Sequence, residues 1–139
     1  MIVLDTNVVS ELMRLVPSAI ALEWLARQSR SELFLTAVSE AELRYGVEIL
    51  PTGRRRATLA ASIERTIRQG FAERILPFDS DAAGVYGVIA AARRAGGNPI
   101  SQADCQIAAI ARSRGAAVAT RDASGFGGCG IEVINPWQA

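Results

Sequence analysis

The chain has 139 residues, half of them apolar, with 6% aromatic, 21% charged and a formal net charge of +1. That length suits one domain around a single, mainly aliphatic core, and the balanced charge excludes a protein that grips nucleic acid through a global positive field. There is no histidine and all fifteen basic residues are arginine, which removes imidazole catalysis and metal sites, Schiff-base lysines, Ser–Lys pairs and phosphate loops of the GxxxxGK[ST] kind.

In chain order, Ile2 to Leu4 reads as a buried strand that stops on Asp5-Thr6-Asn7, followed by a short helix over about residues 7–14. A second helix starts near Pro17 and runs to about Gln28. Leu33 to Leu35 is a strand, and Thr36 or Ser39 opens a helix to about Leu50, stopped by Pro51-Thr52-Gly53. A helix over about residues 54–69 carries Leu59, Ile63 and Ile67 at helical spacing, with Gly70 as its stop. Ile75-Leu76 is a strand. Asp79 or Ser80 caps an alanine-rich helix to Gly96-Gly97, whose small residues suit close packing in the core or across a dimer. Ser101 opens a helix that closes at Gly115, Ala117 to Ala119 is a strand, and Ile131 to Ile134 is the last one. "GFGGCG", residues 125–130, lacks the helix and lysine of a phosphate loop and reads as a flexible connection that leaves the preceding acid poorly held. This alternation predicts an α/β domain over residues 1–139, a central parallel sheet with helices on both faces. No run of about 18 uncharged apolar residues is present. Nor is there a basic segment leading into an apolar stretch. The chain is therefore expected in the cytoplasm, away from membranes. Cys105 and Cys129 are too far apart for a CxxC pair and read as reduced, packed thiols.

Ligands of such sheets bind beyond the carboxyl ends of the strands. Asp5 sits at one such end and Asp122, after Ala117 to Arg121, at another; as a lone residue Asp122 is equally a turn former. On a helix at about 100° per residue, Glu42 shares a face with Val38, Tyr45, Gly46 and Ile49. It should therefore point toward the core, as a site residue or paired with an arginine. Asp104 shares a face with Ile107, Ala108 and Ala111, but its place in the first turn also suits a dipole-favouring role. Four acids at one spot would need a counter-charge. Without histidine or lysine, a hard divalent cation on oxygen ligands, Mg²⁺ or Mn²⁺, is the expected cofactor, with a bound water as nucleophile for phosphodiester hydrolysis.

The segments "MIVLDTNVVSEL", "AVSEAELRYGV", "ISQADCQIAAIA" and "VATRDASGF", with "RILPFD" and the closing "NPW", resemble PIN-domain ribonucleases of the VapC/FitB type, toxins of bacterial toxin–antitoxin pairs. The resemblance runs nearly end to end. It implies that Asp5, Glu42, Asp104 and Asp122 are the catalytic, metal-binding acids, supported by Thr6 and Thr120. It further implies Mg²⁺- or Mn²⁺-dependent endoribonuclease activity on an RNA substrate, homodimerisation, and a small DNA-binding antitoxin as partner, with higher toxin–antitoxin assembly open. Arg54, Arg55 and Arg56 are candidates for RNA phosphates, or else a solvated helix start. The competing classes are a catalytically silent PIN-fold binding or regulatory module and an aspartyl phosphatase-like enzyme. The latter is disfavoured by Asp5-Thr6-Asn7 in place of D-x-D and by the lack of lysine.

Overall fold

Short parallel strands carry the fold, and the computed structural model describes residues 1–138. The elements run β1 (Ile2–Leu4), α1 (Thr6–Leu12), α2 (Ala19–Arg27), β2 (Leu33–Thr36), α3 (Ala37–Glu48) and α4 (Arg54–Arg65). They continue with β3 (Ile75–Leu76), α5 (Ser80–Ala95), α6 (Gln102–Ser113), β4 (Ala117–Ala119) and β5 (Val133–Ile134). The sheet order is β3-β2-β1-β4-β5, and every neighbouring pair is parallel. From β1 the chain builds outward through β2 and β3, then returns to the other side of β1 as β4 and β5. Strand order thus reverses between β1 and β4, which is where an open α/β sheet presents its crevice.

The strands are apolar throughout because both faces are covered. Val3 and Val118 join a core with Ile89 of α5 and Ile107 and Ala111 of α6. Their neighbours Leu4 and Ala119 turn to the opposite face, among Val8, Val9, Trp24, Leu43, Val47, Ile63 and Phe71. Alternating side-chain direction along each strand divides the residues in this way. Phe126 adds aromatic volume to the first core. Cys105 and Cys129 are fully buried, unbridged thiols within it, and burial pushes the Cys105 thiol up, out of the reactive range.

Local chemistry sets the helix ends. Thr36, not Ser39, caps α3, its Oγ1 accepting from Ser39 N at 3.0 Å. Asp79 caps α5 by accepting from Ala82 N at 3.0 Å. Gly115, at φ 68°, closes α6 in the left-handed region that glycine enters without strain. The helix expected over residues 54–69 does not stay regular. After Arg65 it widens into a π-type turn, Thr66–Gly70, with Phe71 N donating to Thr66 O at 3.1 Å. Thr66 Oγ1 donates back to Ser62 O at 2.9 Å, and the extra residue in the turn delivers Phe71 to the core. The last strand is shorter than expected, Val133–Ile134.

The glycine-rich segment corrects the expectation of a loose connection. Arg93 of α5, only 8% exposed, donates to the carbonyls of Asn98 (2.7 Å), Gly125 (2.9 Å) and Gly127 (2.8 Å). Together with the burial of Phe126 and Cys129, this fastens the segment to the body. The buried guanidinium tolerates its site because carbonyl oxygens replace water around it.

Among the described residues no helix is long and apolar enough to cross a membrane. Replacing the fully buried Leu35 by alanine should cost about 2–5 kcal/mol of unfolding free energy, read as a lowered urea midpoint with an unchanged slope.

Candidate active site

Asp5 is placed by β1 and used at once to start α1. Its backbone N–H donates to Ala119 O at 2.9 Å, continuing the β1–β4 ladder by one residue. Asp5 is 6% exposed, and both of its carboxylate oxygens accept hydrogen bonds. Thr6 N donates to Oδ1 at 2.8 Å, Thr120 Oγ1 to Oδ2 at 2.8 Å, and Asn7 Nδ2 to Oδ2 at 3.2 Å. Burial raises the Asp5 pKa above its ordinary 3.8; the Thr120 and Thr6 hydrogen bonds oppose that, and the charges of Asp104 and Glu42 add to it. Three carboxylates from distant parts of the chain therefore feel one another.

They also line one open cavity of about 500 Å³, together with Thr6, Asn7 and Glu11. Glu42 reaches it by a different route from the one its helical face suggested. The buried stripe of α3 is Ser39, Leu43 and Val47, while Tyr45 and Ile49 are 66% and 64% exposed. Glu42 is therefore exposed rather than core-facing. A hydroxyl-bearing Ser39 takes the place of an apolar residue in the stripe, so the buried face lies about a third of a turn from the one the apolar positions alone define. From the edge of that stripe Glu42 Oε1 accepts from Thr6 Oγ1 at 2.8 Å, and Thr6 Oγ1 also lies 2.8 Å from Ser39 Oγ. Glu40 and Glu48 pair instead with Arg44 and Arg56.

Asp104 occupies the third helical position of α6, where its N–H donates to the Ser101 cap at 3.2 Å. The reciprocal bond of a capping box, from Ser101 N–H back to the carboxylate, is absent among the described residues, and the side chain lines the cavity. Asp122 behaves otherwise. It is exposed and caps the 3₁₀ turn Ala123–Phe126, its Oδ1 accepting from Gly125 N and Ser124 Oγ, both at 3.3 Å. It stands beside the site through Thr120, whose Oγ1 accepts from Asp122 N at 3.0 Å, but it does not line the cavity. A Cβ on Gly125 would fall 2.5 Å from Asp122 Oδ2, so a larger residue there would push the exposed carboxylate out of its present position. Arg54, Arg55 and Arg56 begin α4, with Arg56 Nη2 bonded to Glu48 Oε2 at 2.7 Å, and none of them lines the cavity.

Several contributors were not anticipated from the chain. Asn7 ties the ends of β1 and β4 together: its Nδ2 reaches Asp5 and, at 3.3 Å, Thr120 Oγ1, while its Oδ1 accepts from Arg121 N at 3.2 Å. Glu11, 5% exposed, pairs with Arg14 at 3.2 Å. Trp137 stacks under Arg121, with Cζ 5.0 Å from the ring centroid. Its Nε1 is buried without a partner among the described residues, so packing and the arginine hold the ring. The D-T-N triplet hinted at Asn7; "MIVLDTNVVSEL" and "NPW" contain Glu11 and Trp137, but local pattern does not show that either reaches the cavity.

The donor set is all oxygen and mutually repelling, which fits a hard divalent cation. Among the described residues no three acids or thiols stand close enough to form a ready-made metal cluster, and the carboxylates surround the cavity instead. Two tests follow from these bonds. Because folded Asp5 holds its proton more tightly than the unfolded chain does, its stabilising effect is present at low pH and is lost as pH rises through the raised pKa. In EDTA, the stability of the native protein relative to Asp5→Asn should decline as pH rises above the ordinary carboxyl range, as followed by urea unfolding at each pH. Thr120→Val removes a donor to a buried carboxylate and should cost about 1.5–3 kcal/mol in the same assay.

The comparisons with known proteins agree with this geometry. Residues 2–126 match the PIN domain model. The chain is 43% identical over 138 residues to the VapC ribonuclease Y4jK of Sinorhizobium fredii, covering 99% of each. It is 40% identical over 138 residues to Toxin FitB of Neisseria gonorrhoeae, again covering 99% of each. A solved structure of FitAB bound to the IR36 DNA fragment superposes with a TM-score of 0.92 at 39% identity, covering 99% of this chain and 96% of that one. A central parallel sheet with acids gathered beyond its carboxyl edge, and matches spanning almost all of the chain, together place it in the PIN-domain family, in the branch of the VapC and FitB toxins.

Proposed function

We propose that this chain is a Mg²⁺- or Mn²⁺-dependent endoribonuclease, the toxin of a toxin–antitoxin pair acting in the cytoplasm. The observation that carries the reading is the convergence of Asp5, Glu42 and Asp104 on one cavity where strand order reverses. Three separate elements deliver them, and a fold with no other use for those charges would disperse or neutralise them. The relatives named VapC ribonuclease and Toxin FitB support the same assignment.

Asp5, Glu42 and Asp104 would hold the cation, with Asp122 joining if its carboxylate leaves the turn it caps. A bound Mg²⁺ or Mn²⁺ supplies charge neutralisation and an acidified water for attack on the phosphodiester. The protein's own part is positional. Thr120, Thr6 and Asn7 donate to the buried Asp5 carboxyl group and fix its orientation, and Thr6 orients Glu42. Thr120 also bonds the backbone of Asp122, so one hydroxyl links the first and last acids of the set.

A protein partner fits the surface between α1 and α2, where Leu15 and Val16 are 103% and 84% exposed beyond the cavity-lining Arg14. We assign that partner as a small DNA-binding antitoxin, in keeping with the DNA-bound FitAB relative. Tyr45 and Ile49 on α3 and Val88 on α5 are further exposed apolar residues that a homodimer would cover.

Purified protein should cleave single-stranded RNA with Mg²⁺ or Mn²⁺ and stop in EDTA, and Asp5→Asn or Asp104→Asn should lower the rate by at least about 100-fold. Absence of metal-dependent cleavage of any RNA tried, with no Mn²⁺ binding by calorimetry, would falsify the nuclease reading and leave a binding module.

A further inference from the structure

Two cations line the same cavity as the acids, Arg14 and Arg121, and they differ in how they are matched. Arg14 is 3.2 Å from the buried carboxylate of Glu11, so its charge is already answered. Arg121 has no ion pair, and no hydrogen bond engages its guanidinium, among the described residues. The guanidinium instead lies over the Trp137 ring at 5.0 Å. Stacking of this kind occupies the face of the group and leaves its in-plane N–H edge able to donate.

The pair is held in place by its backbone. Arg121 N donates to Asn7 Oδ1 at 3.2 Å, and Arg121 O accepts from Asn135 Nδ2 at 3.4 Å. The same Asn135 accepts from Trp137 N at 2.9 Å through its Oδ1, so one side chain sets arginine and ring relative to each other. Asn7 also bonds Asp5 at 3.2 Å, which fixes the arginine relative to the first acid. Just past β4, Thr120 turns inward to bond Asp5, while the exposed Arg121 lines the cavity. A polyanionic strand approaching these carboxylates is repelled by them, so a fixed, unmatched cation lining the same cavity has an electrostatic purpose. A planar guanidinium suits the two oxygens of a phosphodiester.

We propose that Arg121, set by Trp137 and Asn135, is a phosphodiester-binding subsite that seats the RNA strand beside the carboxylates. The assignment rests on the nuclease reading above. It differs from a role for Arg54 to Arg56, which lie outside the cavity lining.

The test uses the full chain carrying Glu42→Gln, so that RNA stays intact in Mg²⁺, and a fluorescein-labelled single-stranded RNA of mixed sequence followed by anisotropy across a salt series. Adding Arg121→Gln should weaken binding roughly tenfold and flatten the slope of log affinity against log salt by about 0.7, the loss of one phosphate contact on a single strand. Trp137→Leu, with its folding checked by thermal unfolding, should shift affinity in the same direction. Arg94→Gln, an exposed α5 arginine, should leave the slope unchanged. If the parent binds RNA and Arg121→Gln matches it, or Arg94→Gln loses as much, the subsite is refuted while the nuclease reading stands. A parent that binds no RNA refutes both. Unchanged RNA binding with loss of a co-expressed antitoxin would make Arg121 a protein contact and overturn the assignment.

Discussion

The hydrogen bonds around the Asp5 carboxylate are the constraint on which the rest of the site depends. A carboxylate this buried is costly, and burial does push its pKa up. Donation from Thr120, Thr6 and Asn7 offsets part of that cost. These donors come from the first turn of α1 and from the residue after β4, so the bonds that tolerate the charge also join the ends of β1 and β4 at the point where the sheet reverses. The same four residues thus hold the centre of the fold and open its crevice.

The remaining acids arrive around this anchor. Thr6, which caps nothing itself, links Asp5 to Glu42 through one backbone and one hydroxyl bond. Asp104 is held from below by the aliphatic face of α6, where Ile107, Ala108 and Ala111 are fully buried. The like charges repel in the metal-free protein, a cost that stable packing elsewhere must cover, as is common at functional sites. Arg93 provides part of that support at a distance, because its bonds to the Gly125 and Gly127 carbonyls keep the turn after Asp122 in register with α5.

Much of this was legible in the chain. Apolar runs between helical patterns gave the order of elements, since strands covered on both faces must be apolar, and the position of Asp5 followed from where the first run stops. Where fold and pattern differ, the cause is a contact distant in sequence or a buried polar group. The buried face of α3 departs from its apolar pattern because Ser39 is polar by type yet fully buried, its hydroxyl satisfied within the fold. The glycine-rich segment looked loose because its tether, Arg93, lies more than thirty residues away along the chain. Asp122 carries two readings, turn former and site residue, and its bonds within the turn are the ones the fold displays.

Composition and pattern alone determined the α/β class, the chemistry available without histidine or lysine, and the acids worth watching, because each depends on residue type and local spacing. Which acids share a cavity, which arginine is left without a carboxylate, and the pairing of Trp137 with Arg121 were decided only by tertiary structure. Those facts depend on distances between residues far apart in the chain, and β4 reaches β1 only after more than a hundred intervening residues.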